Sequence, residues 1–344
     1  MLIRQAVPED NQALCRMELL APQGSDIRIT ENRRNFFFKS SMFPDNELLV
    51  IENEKTGQLI SVMAYAPMDF RIGGETVRAA YMFDWRTNPE AQRGIDRTML
   101  RLWLTLQDHA RAKGARFIFG HVKSDNNRAI SIYDRVGTRT EGTRRFFTLP
   151  VFHKMPADLD VQIDTKINAI QDYHEMEQVF ADHDMWPLMD NPALRQESYD
   201  KYLCAKISKG STSCKIWDVS HEYDRIVMGV PRLYRTIRPL CNALGKIIAL
   251  PKIPASGDSI KIWSLFDLVL PEGESPVPLL RTANNMALKA KVDYLVVSVD
   301  LAQGSHMLAA GRGALASLDF HLFISDLEGK QAVKSPTYYD IRYL

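Results

Sequence analysis

The stretch from Trp85 to Leu106, W-R-T-N-P-E-A-Q-R-G-I-D-R-T-M-L-R-L-W-L-T-L, holds residues of the right type and spacing to bind phosphate. A strand pattern ends near Thr87. Pro89 breaks it, and Arg93-Gly94 opens directly into an amphipathic helix. The first turn of a helix leaves N–H groups unpaired and carries partial positive charge. That end suits an anion. Gly94 has no side chain to hold a pyrophosphate off the backbone, and Arg93 and Arg97 can add charge-assisted contacts. Asp96 puts a carboxylate beside this site, either serving the helix dipole or weakening anion binding. Taken alone, the segment fits an ordinary turn with solvated arginines equally well.

A second segment changes that balance. S-D-N-N-R-A-I-S-I-Y-D-R-V-G, Ser124–Gly137, follows an apolar strand pattern. It resembles the N-x-x-A-x-x-x-Y-x-K/R-x-G-F pattern of the GNAT superfamily of N-acetyltransferases at Asn126, Ala129, Tyr133, Arg135 and Gly137. Thr138 stands where that family has an aromatic residue. The loop A-Q-R-G-I-D resembles the family's Q/R-x-x-G-x-G/A loop at Gly94. Ala91 replaces the usual Gln or Arg, and Asp96 the second small residue. The opening I-R-x-A-x-x-x-D, Ile3–Asp10, is also similar. The resemblance covers about residues 1–150 and implies acetyl-CoA as cofactor. It implies a cofactor site at Trp85, Arg86, Thr87, Gln92, Arg93, Gly94, Ile95, Asp96, Arg97, Asn126 and Tyr133, with the Trp85–Thr87 backbone holding the pantetheine arm.

Acetyl transfer to an amine needs a neutral nitrogen, a stabilised oxyanion and a protonated leaving thiolate. The resemblance implies direct attack in a ternary complex, with Tyr133 as the general acid; the competing reading is that Tyr133 only packs its helix. Three groups compete for the base. Asp84 ends the long strand, and its neighbours Phe83 and Trp85 could raise its pKa by desolvation; alternatively it caps a loop or pairs with Arg86. His121 ends the next strand as a base, a relay or a structural residue. Two-domain relatives such as N-myristoyltransferases bring the terminal carboxylate into the site, which nominates Leu344 at the end of the strand-like tail Y-Y-D-I-R-Y-L.

The elements that must position these groups follow from periodicity. Strands are expected at Leu2–Ala6, Glu47–Asn53, Gln58–Ala66, Glu75–Thr87, Arg116–Val122 and Thr140–Leu149. Gly73-Gly74 marks a tight turn. Helices are expected after Pro8–Asp10, over Ile27–Phe38, along Ile95–Ala110 (where Ile95, Met99, Leu102, Trp103, Leu106 and Ala110 recur at helical spacing) and at Asn126–Arg135. The second half repeats this order loosely, with strands at Gln162–Ala169, Ser259–Leu270, Tyr294–Val299 and Phe320–Ser325. Its helices fall near Tyr173–Asp182 and Leu279–Lys291, with a short one at His306–Gly311. Together these predict an α/β protein with mixed sheets and, by the resemblance, the acyl-CoA N-acyltransferase fold in two tandem domains, residues 1–155 and 156–344.

Bulk properties exclude several classes. The 344 residues suit two domains. Lys and Arg number 43 against 42 Asp and Glu, a net charge of +1, which argues against nucleic-acid binding. Cys15, Cys204, Cys214 and Cys241 form no C-x-x-C pair, so neither a disulfide framework nor structural zinc is expected. No signal-like or bilayer-length apolar run occurs. A cytoplasmic protein with no membrane partner and no metal is expected, and a homodimer is left open.

In the second half, P-E-G-E-S-P-V-P (Pro271–Pro278) stands where the phosphate loop would be. It has no arginine, and its prolines remove N–H donors. This domain is expected to be a degenerate copy that shapes the acceptor pocket, with Trp186, Trp217 and Trp263 in its core. The function expected is acetyl transfer to a primary amine of a small-molecule or amino-acid-like acceptor. The alternative is a catalytically silent acyl-CoA-binding or regulatory protein.

Overall fold

The computed structural model describes residues 1–22, 27–91, 95–189, 191–244, 250–251 and 253–343, with backbone only at 95–98 and 242. In the first half, β1 (Leu2–Gln5), α1 (Asn11–Leu20) and β2 (Arg28–Arg33) precede a meander of β3 (Glu47–Glu52), β4 (Leu59–Ile72) and β5 (Glu75–Thr87). Gly73 and Gly74 make the β4–β5 turn, both with φ in the left-handed region that glycine tolerates. Then come α2 (Ile95–Ala112), β6 (Phe117–Lys123), α3 (Asn127–Arg135) and β7 (Arg139–Pro150). The second half comprises β8 (Gln162–Asp164), α4 (Ala169–Val179), β9 (Trp186–Pro187), α5 (Pro192–Tyr202), β10 (Leu203–Lys209), β11 (Thr212–Trp217), β12 (Tyr223–Gly229) and α6 (Arg232–Leu244). β13 (Ser259–Ile260), β14 (Ile262–Val269), α7 (Val277–Lys289), β15 (Tyr294–Asp300) and β16 (Ala316–Asp326) complete it.

One mixed sheet runs through both halves in the order β1-β3-β4-β5-β6-β16-β7-β15-β14-β11-β10-β8, with β9 on β4. The halves exchange their last strands. β16, from the second half, lies between β6 and β7 of the first and is antiparallel to both. β7, from the first half, pairs in turn with β15. Apolar residues on the two faces form separate cores. Leu49, Met82, Trp103, Leu106, Tyr133 and Phe323 pack around α2 and α3. Phe43, Tyr81, Phe83, Phe119 and Tyr343 pack with α1 on the opposite face.

Three expectations are corrected. Ile27–Phe38 is not a helix: Arg28–Arg33 forms β2, which pairs with β12 in a second, three-stranded sheet with β13. That partner lies almost 200 residues away in sequence, so local periodicity gives no hint of it. The strand at Gln162–Ala169 stops at Asp164, because the Asn168 side chain accepts hydrogen bonds from the Ile170 and Gln171 N–H groups and starts α4. The C-terminal tail is buried but is no strand. Beyond a single bridge at Asp184–Thr337 it folds into a short 3-10 turn at Ile341–Tyr343.

Because β16 belongs to the first half's sheet, Phe323→Ala in β16 should cost about 3–5 kcal/mol. Both halves should unfold in one transition, measured by urea denaturation with tryptophan fluorescence and circular dichroism. Two separated transitions would refute the coupling.

Candidate active site

β5 and β6 run parallel, but only Ala80–Ile118 and Tyr81–Phe119 are paired. Beyond that point each strand follows its other neighbour. β5 stays with β4, while β6 stays with β16 through Gly120–Phe323 and His121–Leu322. The two strands therefore part toward their C-terminal ends, where ligands of such sheets bind. A bulge reinforces the divergence. Val62 and Ala64 of β4 face Arg86 and Phe83 of β5, so β5 carries one extra residue there. Asp84 lies in the bulge with φ +48°.

Tyr133 lies on the face of the parting that carries α2 and α3. It is buried, stacked on Phe323 at 4.0 Å and edge-on to Trp85 at 5.7 Å. Trp85 stacks on Trp103. Gly120 makes this arrangement fit, because a Cβ there would lie 2.7 Å from the Phe323 ring. Burial raises the Tyr133 pKa, offset only in part by Arg86, so the phenol keeps its proton at neutral pH. Asn126 caps α3, accepting from the Ala129 N–H at 3.1 Å. The Thr87 hydroxyl contacts the Met99 sulfur. Arg86 is held to Glu18 of α1 and to the Trp85 carbonyl.

The opposite face holds the candidate His121 together with Lys39 and Tyr81, which sequence reasoning did not select. Lys39 is buried above the Tyr81 and Phe83 rings and donates to the Tyr343 carbonyl at 3.1 Å. The Tyr81 hydroxyl donates to the same carbonyl at 3.0 Å. Desolvation pulls the Lys39 ammonium down to about 8, against the nearby charge of Asp84. His121 packs against Tyr339 at 4.8 Å and Tyr343 at 5.8 Å. Desolvation, with the charges of Arg144 and Lys39, lowers its pKa to about 3, and its buried Nδ1 has no hydrogen-bond partner among the described residues. Lys39 lies in a loop without periodicity, so no local signal marks it.

Asp84 does not have the raised pKa that its apolar neighbours suggested. Arg33 of β2 grips it with two bonds of 2.7 and 2.8 Å, and both side chains are buried. Desolvation is the largest effect and raises the pKa. The Arg33 charge, its hydrogen bonds, Lys39 and Arg86 together outweigh it and set the value at about 2. Arg33 also holds Glu31. Gln92, Arg93, Gly94 and Leu344 lie outside the described residues, and Ile95, Asp96 and Arg97 are described by backbone only, at the first turn of α2.

The second half repeats this geometry with different contents. β14 and β15 are paired from Ile262–Tyr294 to Leu265–Val297 and then part. β14 carries a bulge at Asp267, also with φ +48°. Phe83-Asp84 and Phe266-Asp267 thus occupy matching places. Asp267 binds the buried Lys215, which also binds Asp172, and accepts from the Tyr338 hydroxyl at 2.7 Å. Trp186, Trp217 and Trp263 are all buried. The tail runs from this bulge, at Tyr338, to the first half's parting, at Tyr343.

Since Asp84 titrates lower in the folded chain than its ordinary 3.8, its ion pair contributes stability above pH 4 that is lost as pH falls toward 2. Asp84→Asn should flatten the fall in melting temperature across that window. Arg33→Ala should cost about 3–5 kcal/mol by leaving a buried carboxylate unpaired. Scanning calorimetry checks both; an unchanged acid limb would refute the pairing.

Residues 21–140 match the family model for an acetyltransferase (GNAT) domain. No curated protein sequence matches the chain. Among solved structures, Saccharomyces cerevisiae N-myristoyltransferase with bound myristoyl-CoA is similar over 94% of this chain and 83% of its own, at 8% identity and TM-score 0.60. A GCN5-related N-acetyltransferase from Sphaerobacter thermophilus is similar over 98% of both chains, at 11% identity and TM-score 0.55. At such identities the likeness is one of fold, and it extends across both halves. Residues 21–140 are therefore identified, by that match, as a GNAT acetyltransferase domain.

Proposed function

We propose that this protein is an acetyl-CoA-dependent N-acetyltransferase that moves an acetyl group to a primary amine of a small or amino-acid-like acceptor by direct attack. The observation that carries this reading is the parting of β5 and β6. It joins a face bearing a protonated Tyr133 to a face bearing His121 and Lys39. The cofactor supplies an acetyl thioester whose leaving sulfur needs a proton. Tyr133 lies on the side of α2 and α3 and donates it. In this reading the 92–97 loop and the start of α2 hold the pyrophosphate, and the bulged Trp85–Thr87 backbone holds the arm.

Two groups remain as base. His121 stays neutral at pH 7, with no partner for its Nδ1 among the described residues, but its low basicity suits it to relaying a proton through water. A chain ending at Leu344 would carry its carboxylate one residue beyond the Tyr343 carbonyl that Lys39 holds. Extending such a chain by one glycine should then lower kcat more than it changes acetyl-CoA affinity.

The division at residues 155/156, with a degenerate second domain, belongs to the same reading. It is supported by the Lys215–Asp172–Asp267 cluster, which fills the second parting with paired side chains. The unpaired cysteines suit a reducing cytoplasm. A specific observation favours a competing reading, CoA binding without turnover: Asp84 is committed to Arg33 and unavailable as a base.

Calorimetric titration of acetyl-CoA should show binding by the parent and its loss in Gly94→Glu, which sets bulk and negative charge at the pyrophosphate. Tyr133→Phe should then lower kcat about 100-fold on amine acceptors, followed by thiol release, with affinity retained. No binding by the folded parent would overturn the proposal. Binding without thiol release on any primary amine would favour the silent reading.

A further inference from the structure

Between β12 and β13 the chain leaves the three-stranded sheet and forms α6. From Arg225 to Gly257 the sequence has no Asp or Glu, yet it carries Arg225, Arg232, Arg235, Arg238, Lys246 and Lys252. In a chain of net charge +1 this is a pronounced local excess. Among the described residues, no strand or helix packs extensively along α6. Its leucines point outward: Leu233 is 67% exposed, Leu240 63% and Leu244 39%. Steps of seven and four residues place the three on one stripe of a helix. Arg232 and Arg235 are exposed on a different face, and Met228 is exposed at the end of β12. Tyr234, Ile237, Arg238 and Cys241 are the half-buried positions.

A helix docked on its own protein buries its leucines and exposes its charges. Here both are exposed, Arg232 flanking the leucine stripe and Arg235 on the far side of the helix, which is the pattern of a helix lying in a membrane interface. We propose that α6 docks this protein on an anionic bilayer surface, its leucine stripe entering the acyl boundary and its arginines meeting lipid phosphates. Charge selects this occupant. A second copy would bring arginine flanks together with no acidic residue on the segment to offset them. Nucleic acid would leave the leucines in water. A lipid surface satisfies both faces. This is a surface contact: among the described residues no helix is long and apolar enough to cross a membrane. It departs from the sequence expectation of no membrane partner. The docking element is tied to the candidate site, since β12 pairs with β2 and β2 carries Arg33.

The test is co-sedimentation of the full chain with phosphatidylcholine vesicles, with or without about one-third phosphatidylglycerol. Binding should be at least about tenfold stronger to the anionic vesicles and should weaken with salt. Leu233→Glu with Leu240→Glu should abolish it while melting temperature and acetyl-CoA affinity are unchanged. Both positions are exposed, so loss of binding would not reflect misfolding. No binding to anionic vesicles, or equal binding by parent and variant, would overturn the proposal. So would a concentration-dependent dimer that the double variant abolishes, which would assign the stripe to a second copy.

Discussion

The buried ion pair between Arg33 and Asp84 is the contact on which the candidate site depends. A non-glycine residue at φ +48° in mid-strand is strained by about 1–3 kcal/mol, and an unpaired buried carboxylate would cost several more. Asp84 bears both burdens because its bulge turns β5 away from β6. Arg33 compensates through a planar fork matched to the carboxylate. Arg33 is itself placed by β2, and β2 by pairing with β12 of the second half. The opening in the first half's sheet is thus supported from the second half.

The second half repeats the bulge with a different partner. Asp267 has the same backbone conformation and also follows a phenylalanine. Its cation is Lys215, an ammonium shared with Asp172. An arginine fork grips one carboxylate bidentately, whereas a compact ammonium gathers several acceptors around a point. With Tyr199 on Asp172 and Tyr338 on Asp267, the lysine cluster is bonded from several sides. The same strand-and-bulge arrangement carries two different contents here.

The strand and helix order around the first site was legible because each element there has a strong local signature. α2 has its apolar period and β5 its bounding turns, and Asn126 and Gly137 bracket α3. Tyr133 stands out because its segment resembles the family's pattern. The environment of Asp84 could not: its partner comes from a strand whose own partner is remote, so the local sequence supports the wrong sign of pKa shift. Lys39, in a loop, and Gly120, inside a strand, leave no periodic trace; only a distance shows what each does. The paired Phe-Asp dipeptides are too short to reveal an internal repeat. They become comparable once the topology aligns β5 with β14.

The placement of β16 also has a consequence for synthesis. β6 and β7 are synthesised first, yet the strand that joins them is complete only when the chain reaches Asp326. Until then a ribosome-bound first half presents two unpaired strand edges, that of β6 largely apolar, the condition in which nascent chains find wrong partners. The interval is set by translation, since about 170 further residues at about 5–20 per second take on the order of ten seconds or more. Substitutions that weaken β16 should therefore reduce yield in the cell more than they reduce the stability of chains that have already folded.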